Sequence, residues 1–391
     1  MKVLILKQHL IHCLALNKKV YKLVDVSNEI FQDRHPMSSG DIPSTMQWPY
    51  KQRGMDFDKD LKLKGKYCWH PFNTITVDGE GDIYMCICQV WLPLSIGKVH
   101  EFASLTDMAH SVRAREIQAS IIDGSYRYCD HNTCGIIQSG ELKDYVDDRV
   151  DTVNWINFAL DASCNLTCPS CRKEFKFISD GPEYDKRIAL VDHLVRLIET
   201  HDHYIKFTLS GDGDPFASLI YRDLLTKLNL NDKDNVEIEI VTNGMLAKAH
   251  WPRMTGVHKN IVRFKISFDA ASESVYNVTR RGGDWDKLIE NSKYILDWKI
   301  ENHSPMATCA NFVVQQANYK DMVKFVEICD TMGFDEIMLQ KITDWGTYDN
   351  FAHQAVWQDS HPEFQEFLTY LRDPGLNNKK VNLTNLSDLR K

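Results

Sequence analysis

The chain lacks any run approaching the ~20 apolar residues that a bilayer-spanning helix needs. The opening apolar stretch is broken by Lys7, Gln8 and His9, and the next, over residues 10–16, contains His12. No small-residue cleavage site follows, so no secretory leader is expected. No long basic run is present and the formal net charge is -8. No general affinity for nucleic acid backbones is therefore expected, since that needs a positive footprint, and net charge says nothing of local patches. There is also no internal repeat and no low-complexity tract. The expectation is a cytoplasmic protein without membrane or nucleic acid partners.

What the chain does have is cysteine. Its 391 residues include 11 cysteines, an odd number. In a reducing compartment, clustered cysteines read as metal ligands before they read as disulfides. Hydrophobic residues at 43% and charged residues at 26% are ordinary for a soluble globular chain. The length exceeds one typical core, so two domains or a barrel with a large addition are expected.

Residues 1–66 carry weak signals: a short strand near 3–6 and loops near 36–40 and 43–49. Residues 67–150 bear cysteines and open with a hairpin pattern. Thr74-Ile75-Thr76-Val77 alternates, Asp78-Gly79-Glu80-Gly81 turns, and 82–86 returns. A helix is expected near 105–122, and the charged stretch 141–151 reads as a linker. From Val153 strands and helices alternate. Strands are expected at 155–160, 205–209, 236–241, 262–268, 310–314 and 336–340. Helices are expected at 189–199, 219–228, 285–300 and 319–332. That rhythm predicts a parallel sheet with crossover helices, and six strands suit a partial barrel. Residues 351–391 read as a C-terminal helix and polar tail. In such folds chemistry sits at the C-terminal ends of the strands.

Directly after the first of these strands stands Cys164-x3-Cys168-x2-Cys171. Thiolates suit iron–sulfur clusters or zinc. Four-iron clusters normally take four thiolates, so three leave one iron open to a small molecule. Structural zinc needs a fourth ligand, and no His or Cys lies close in sequence to supply it. Ser210-Gly211-Asp212-Gly213-Asp214-Pro215 ends the second strand, Thr242-Asn243-Gly244 the third, and Ser267-Phe268-Asp269 the fourth. Tyr276, Arg280 and Arg281 follow. Glycines at 211 and 213 let backbone approach a ligand closely, and Asp212 or Asp214 can face an ammonium. An arginine can pair bidentately with a carboxylate.

In this order the motifs resemble those of the radical S-adenosylmethionine (SAM) superfamily over residues 153–345. The resemblance implies a partial (β/α)6 TIM-like barrel over 151–350. It implies a four-iron cluster on Cys164, Cys168 and Cys171, with SAM on its open iron. One electron from a flavodoxin- or ferredoxin-type reductant would yield methionine and a 5′-deoxyadenosyl radical, which takes hydrogen from a substrate carbon. SAM contacts are implied at Gly211, Asp212, Gly213, Asp214, Thr242, Asn243, Ser267, Asp269 and Arg280. Two positions depart from the pattern. Ser170 replaces the usual aromatic before the third cysteine, and Asp214 stands where a glutamate is usual.

Cys68, Cys86, Cys88, Cys129 and Cys134 form a second set around the hairpin. They resemble the auxiliary-cluster domains called SPASM or twitch, here placed before the barrel rather than after it. A small α+β auxiliary domain over 67–150 is implied. Its four-iron cluster would be held by Cys68, Cys86, Cys129 and Cys134, with Cys88 the spare or the true second ligand. Structural zinc and plain buried thiols are the rival readings. Cys13, Cys309 and Cys329 sit in apolar stretches and are expected to be buried thiols. Most relatives with auxiliary clusters modify peptides by cross-linking, oxidation or epimerisation, so a peptide is the leading substrate. A carbohydrate or nucleotide dehydrogenase or epimerase is the alternative. The other class kept open is a non-enzymatic metal-binding regulator. Trp345, Tyr348, Gln315, Gln316 and Gln340 are candidate pocket residues. His353 and His361 are expected in exposed or capping roles.

Overall fold

The computed structural model describes residues 63–140, 142–144, 153–209 and 213–390, all within the compact unit Asp56–Lys391. The expected features of residues 1–62, Cys13 among them, lie outside the described residues. So do Ser210, Gly211, Asp212 and most of the linker.

A ten-stranded sheet organises the chain. Its strands are β2 (Thr74–Asp78), β3 (Asp82–Tyr84), β4 (Ser95–Lys98), β6 (Trp155–Ala159), β7 (Ile205–Leu209), β8 (Val236–Thr242), β9 (Ile261–Ser267), β10 (Ala307–Val314), β11 (Glu336–Lys341) and β12 (Val381–Asn382). Their order is β12-β11-β10-β9-β8-β7-β6-β2-β3-β4. From β12 across to β2 every pairing is parallel; β3 and β4 add antiparallel edges. Two further short strands, β1 (Lys66–Tyr67) and β5 (Lys143–Asp144), pair antiparallel beside it. The six strands expected from the sequence are β6 to β11. The mainly parallel mixed α/β architecture is consistent with the expected partial barrel.

The hairpin β2–β3 does not form a sheet of its own. β2 lies parallel to β6, with Thr74 opposite Trp155 and Asp78 opposite Ala159. The sequence hides this, because a parallel partner about 80 residues away leaves no local signal. β12 was also missed. It has two residues in a polar tail and reaches the sheet only through Ile337 and Met338.

Alternation explains the two faces. Ile156, Phe158, Phe207, Ile238, Ile240, Phe264 and Ile266 are buried on one face under the helices. There Phe158 stacks on Phe207 at 5.3 Å, and Phe312 meets Phe325 of the helix Met322–Met332 at 4.8 Å. Each such phenylalanine contributes roughly 1.5–3 kcal/mol. The residues between them point to the other face, which is polar. Register sets Asn157 beside Thr208, Thr208 beside Glu239 and Glu239 beside Arg263.

Helix ends follow local chemistry. Ser218 accepts from Tyr221 N to start Leu219–Lys227, and Asp284 accepts from Lys287 N to start Trp285–Glu301. Gly333 closes Met322–Met332 at φ +94. The helix expected over 105–122 is two, Leu105–Ala109 and Val112–Ile122. Ser111 divides them by capping Ala114 N. The helix expected from 189 begins at Gly181, with Pro182 in its first turn.

Candidate active site

β6 delivers the chain into the loop that carries Cys164, Cys168 and Cys171. All three are free thiols; the first two are buried and the third is exposed. Buried Asp161 shapes the loop. It accepts from Ser163 N at 3.1 Å and Ser163 Oγ at 3.0 Å, and from Ser218 Oγ. Asp214 N donates to Ser163 O at 2.9 Å. A Cβ at Gly213 would meet Asp161 O at 2.4 Å and Ser163 O at 2.6 Å, so only glycine allows this approach.

Each sulfur has a nitrogen donor aimed at it. Leu166 N lies 3.4 Å and Asn243 Nδ2 3.6 Å from Cys164 Sγ. Arg280 Nη1 lies 3.9 Å from Cys168 Sγ, and Arg172 Nη2 3.6 Å from Cys171 Sγ. Burial, with nearby Asp214, pushes the Cys164 thiol up to about 11. Burial also raises Cys168, against the pull of Arg280. A metal centre would therefore displace protons on binding.

The thiols share a cavity of about 110 Å³ with Thr242, Asn243, Ser267 and Arg280. Asp269 grips Arg280 at 2.7 Å and accepts from Val313 N at 2.7 Å. Burial works against the Arg280 cation, but Asp269 and Cys168 outweigh it and its pKa rises. The Arg280 Nε is buried without a partner, a donor left over for an incoming carboxylate. Three free thiols met by N–H donors, a close glycine backbone and this spare donor fit a three-thiolate cluster with SAM.

Two expected SAM contacts are otherwise engaged. Asp214 is fully buried. Its Oδ1 accepts from Phe216 N and Ala217 N, and its Oδ2 from Thr242 Oγ1 and Asn243 N at 2.7 Å each. With its acceptor sites taken by the chain, it does not offer a carboxylate to an ammonium; it ties the ends of β7 and β8 together. Asp269 likewise spends its carboxylate on Arg280 and Val313. Its backbone sits at φ +55, with its carbonyl accepting from Asn318 Nδ2 and Thr279 Oγ1. It is a positioning residue. Tyr276 is buried against Met245. Arg281 Nε donates to Thr167 O at 3.1 Å and fastens the cysteine loop.

Some functional residues escaped sequence reasoning. Arg172 simply follows the motif; Asn243 was expected as a SAM contact, but its reach to Cys164 from 79 positions away was not. The polar face carries Lys206, Glu239 and Lys265, with Glu239 bridging the two lysines at 2.8 and 3.5 Å. Arg263 pairs with Glu336 beside them. The signal was charge alternating with apolar residues in β8 and β9. Tyr348 donates to Gln315 Oε1 at 2.9 Å, and its pKa is raised by burial and by nearby Asp269 and Cys168. Trp345 is exposed. Gln340 donates to Asn311, and Gln316 to Glu363. His361 accepts from Glu363 N and faces His353 O, so it has a turn-capping place.

The second cysteine set also converges. Cys68, Cys86, Cys129 and Cys134 each sit close enough to the other three to raise thiol pKa values. Burial is the larger cause and pushes Cys68 up to about 12. Cys88 faces Cys86 and Cys134. Sulfurs are again met by backbone N–H groups: His70 on Cys68, Cys88 on Cys86, and Ile136 and Ile137 on Cys134. Cys68, Cys86 and Cys164 thus share one turn, a sulfur held by the amide two residues on. Thr76 Oγ1 donates to Cys86 O at 2.7 Å and Asn157 Nδ2 to Ile87 O at 3.2 Å. The set therefore lies over the polar face of β2 and β6. Trp69 stacks on Trp155 there, at 5.9 Å. Cys309 and Cys329 are buried thiols. Among the described residues no group of three or more His, Cys, Asp and Glu is arranged to hold a metal ion as the side chains now stand. No described helix is long and apolar enough to cross a membrane.

Residues 162–329 match the family model described as Radical SAM superfamily, a span containing all three cysteines of the first loop. The match covers less than half of the chain, and the family it describes uses a four-iron cluster and SAM. The match favours an enzyme over the non-enzymatic regulator. By sequence the chain is similar to a probable GTP 3′,8-cyclase of Saccharolobus solfataricus, 26% identical over 190 residues. That alignment covers 47% of this chain and 55% of the relative, so the chain spans about half of the relative's length. Among solved structures it resembles anSMEcpe with bound AdoMet at 17% identity, covering 56% of this chain and 59% of that one, TM-score 0.39. It also resembles Streptococcus suis SuiB bound to the precursor peptide SuiA at 13% identity, covering 71% and 64%, TM-score 0.39. Structural likeness at these TM-scores carries no functional argument.

Proposed function

We propose that this protein reductively cleaves SAM and abstracts hydrogen from a substrate carbon, with a peptide as the leading substrate class. The observation that carries it is one loop presenting three thiols, each sulfur met by an N–H donor, at the C-terminal ends of parallel strands. When bound, cluster and SAM supply a 5′-deoxyadenosyl radical after one-electron reduction. Cys164, Cys168 and Cys171 hold the metal. Arg280, aimed by Asp269, offers Nε to the SAM carboxylate. Thr242, Asn243 and Ser267 line the same cavity as further SAM contacts, and the Gly213 backbone packs beneath them. Gly211 and Asp212 are proposed partners outside the described residues. Cys68, Cys86, Cys129 and Cys134 would hold an auxiliary four-iron cluster, which would supply an electron acceptor or a ligand for the substrate. A flavodoxin- or ferredoxin-type protein is the proposed reductant.

A nucleotide is the second reading for substrate, favoured by the sequence likeness to a GTP 3′,8-cyclase. The test is anaerobic reconstitution, dithionite reduction and chromatography of the SAM products. 5′-Deoxyadenosine is expected, even uncoupled from substrate; its absence would sink the proposal. Faster formation with GTP than with added peptides would favour the nucleotide reading.

A further inference from the structure

A second and larger cavity, about 260 Å³, is lined by residues of the segments that follow β7 and β8. Phe216 and Met254 give it an apolar floor, and Arg222, His250 and Arg253 face into it. Arg222 Nη1 lies 3.0 Å from His250 Nε2, and its Nε is buried without a partner. Burial and the two arginines push the His250 ring down to about 4, so it is neutral and accepts from Arg222. Burial and Arg253 also lower Arg222 itself. Among the described residues neither arginine pairs with a carboxylate. The acidic lining residue Asp223 is bound to Lys227 at 2.6 Å. Two guanidinium groups therefore converge in a half-buried pocket without a counter-ion.

Guanidinium forks match tetrahedral oxyanions, and an apolar floor strengthens such pairs by excluding water. The volume falls below the ~300–1,000 Å³ usual for drug-sized ligands, so the ligand is small. We propose that this cavity binds a small phosphate-bearing anion between Arg222 and Arg253. Its place suits a brace. Phe216 N donates to Asp214, whose own N donates to Ser163 O in the cysteine loop. His250 ends the short helix Ala247–His250 that follows Thr242 and Asn243. An occupant would join the segments after β7 and β8 that support the first site.

The test titrates inorganic phosphate, pyrophosphate and glycerol 3-phosphate against the full chain at constant ionic strength, reading heat of binding and thermal stability. Saturable binding is expected, with Tm raised by about 3 °C at a hundredfold excess over Kd, and no such rise with chloride. The preferred probe says whether the source is free or organic phosphate. Arg222→Gln, and separately Arg253→Gln, should each weaken binding at least about tenfold. Arg253 is exposed, so its variant tests the site without risking the fold. Binding should persist in a Cys164/Cys168/Cys171 triple Ala variant. No saturable binding by any probe, or binding unchanged in Arg253→Gln, overturns the proposal. So does binding lost in the triple variant yet untouched in Arg253→Gln, which moves the anion to Arg280.

Discussion

Asp269 holds Arg280 at 2.7 Å, and the same guanidinium reaches to 3.9 Å from Cys168 Sγ. A buried carboxylate on one strand end thus decides where a cation stands at the first cysteine loop. Removing one partner of a buried pair leaves the other charge uncompensated, at a cost of about 3–5 kcal/mol. Asp269→Asn should lower Tm and weaken SAM binding at least about tenfold. Arg280→Lys should keep charge but lose the fork, weakening SAM while sparing the fold. Equilibrium binding of SAM to reconstituted protein, beside thermal melts, reads both. Unchanged affinity in both variants would remove Arg280 from the SAM site.

Metal content separates the two cysteine sets. With two four-iron clusters, anaerobically reconstituted protein should hold about eight irons, and the Cys164/Cys168/Cys171 triple Ala variant about four. The Cys68/Cys86/Cys129/Cys134 quadruple Ala variant should also hold about four and still yield uncoupled 5′-deoxyadenosine. About four irons in the wild type and none in the triple variant would end the auxiliary-cluster proposal.

Gly213→Ala tests the packing beneath the first loop. The new methyl would press on the carbonyl oxygens of Asp161 and Ser163, both backbone atoms. Overpacking of this kind costs roughly 1–3 kcal/mol. The loop should shift, and iron retention on the first set should fall while the second set keeps its own. An alanine variant with wild-type melting and iron content would contradict the close approach.

His70 predicts an acid weakness. Burial lowers its pKa from an ordinary 6.5 to about 4. Between those values the unfolded chain binds the proton and the folded chain does not, so stability falls as pH drops through that window. The loss is at most about 3 kcal/mol for a shift of this size. His70→Gln should flatten the pH 4–6.5 part of the stability curve, read by denaturant melts at several pH values. An identical slope in the variant would assign the loss to other groups.

The six parallel strands and the first cysteine loop were legible in sequence because their signals are local. Alternation within each strand, and three thiols in eight residues, need no knowledge of distant chain. The partners of those residues were not legible. Asp214 reads as a ligand carboxylate in its glycine motif, yet Thr242 and Asn243, 28 and 29 positions on, consume it. Asp269 reads as a contact and proves a support.

Sequence by itself determined the chemistry available: soft thiols in two sets, glycine at 213, arginine at 280, and a parallel sheet to carry them. Tertiary structure alone decided their use. It laid β2 beside β6, which brings the second cysteine set over the polar face, and it turned Asp269 toward Arg280. The reason is physical: parallel pairing and buried ion pairs draw their energy from neighbours far away in the chain, and neither leaves a period or a motif where it begins.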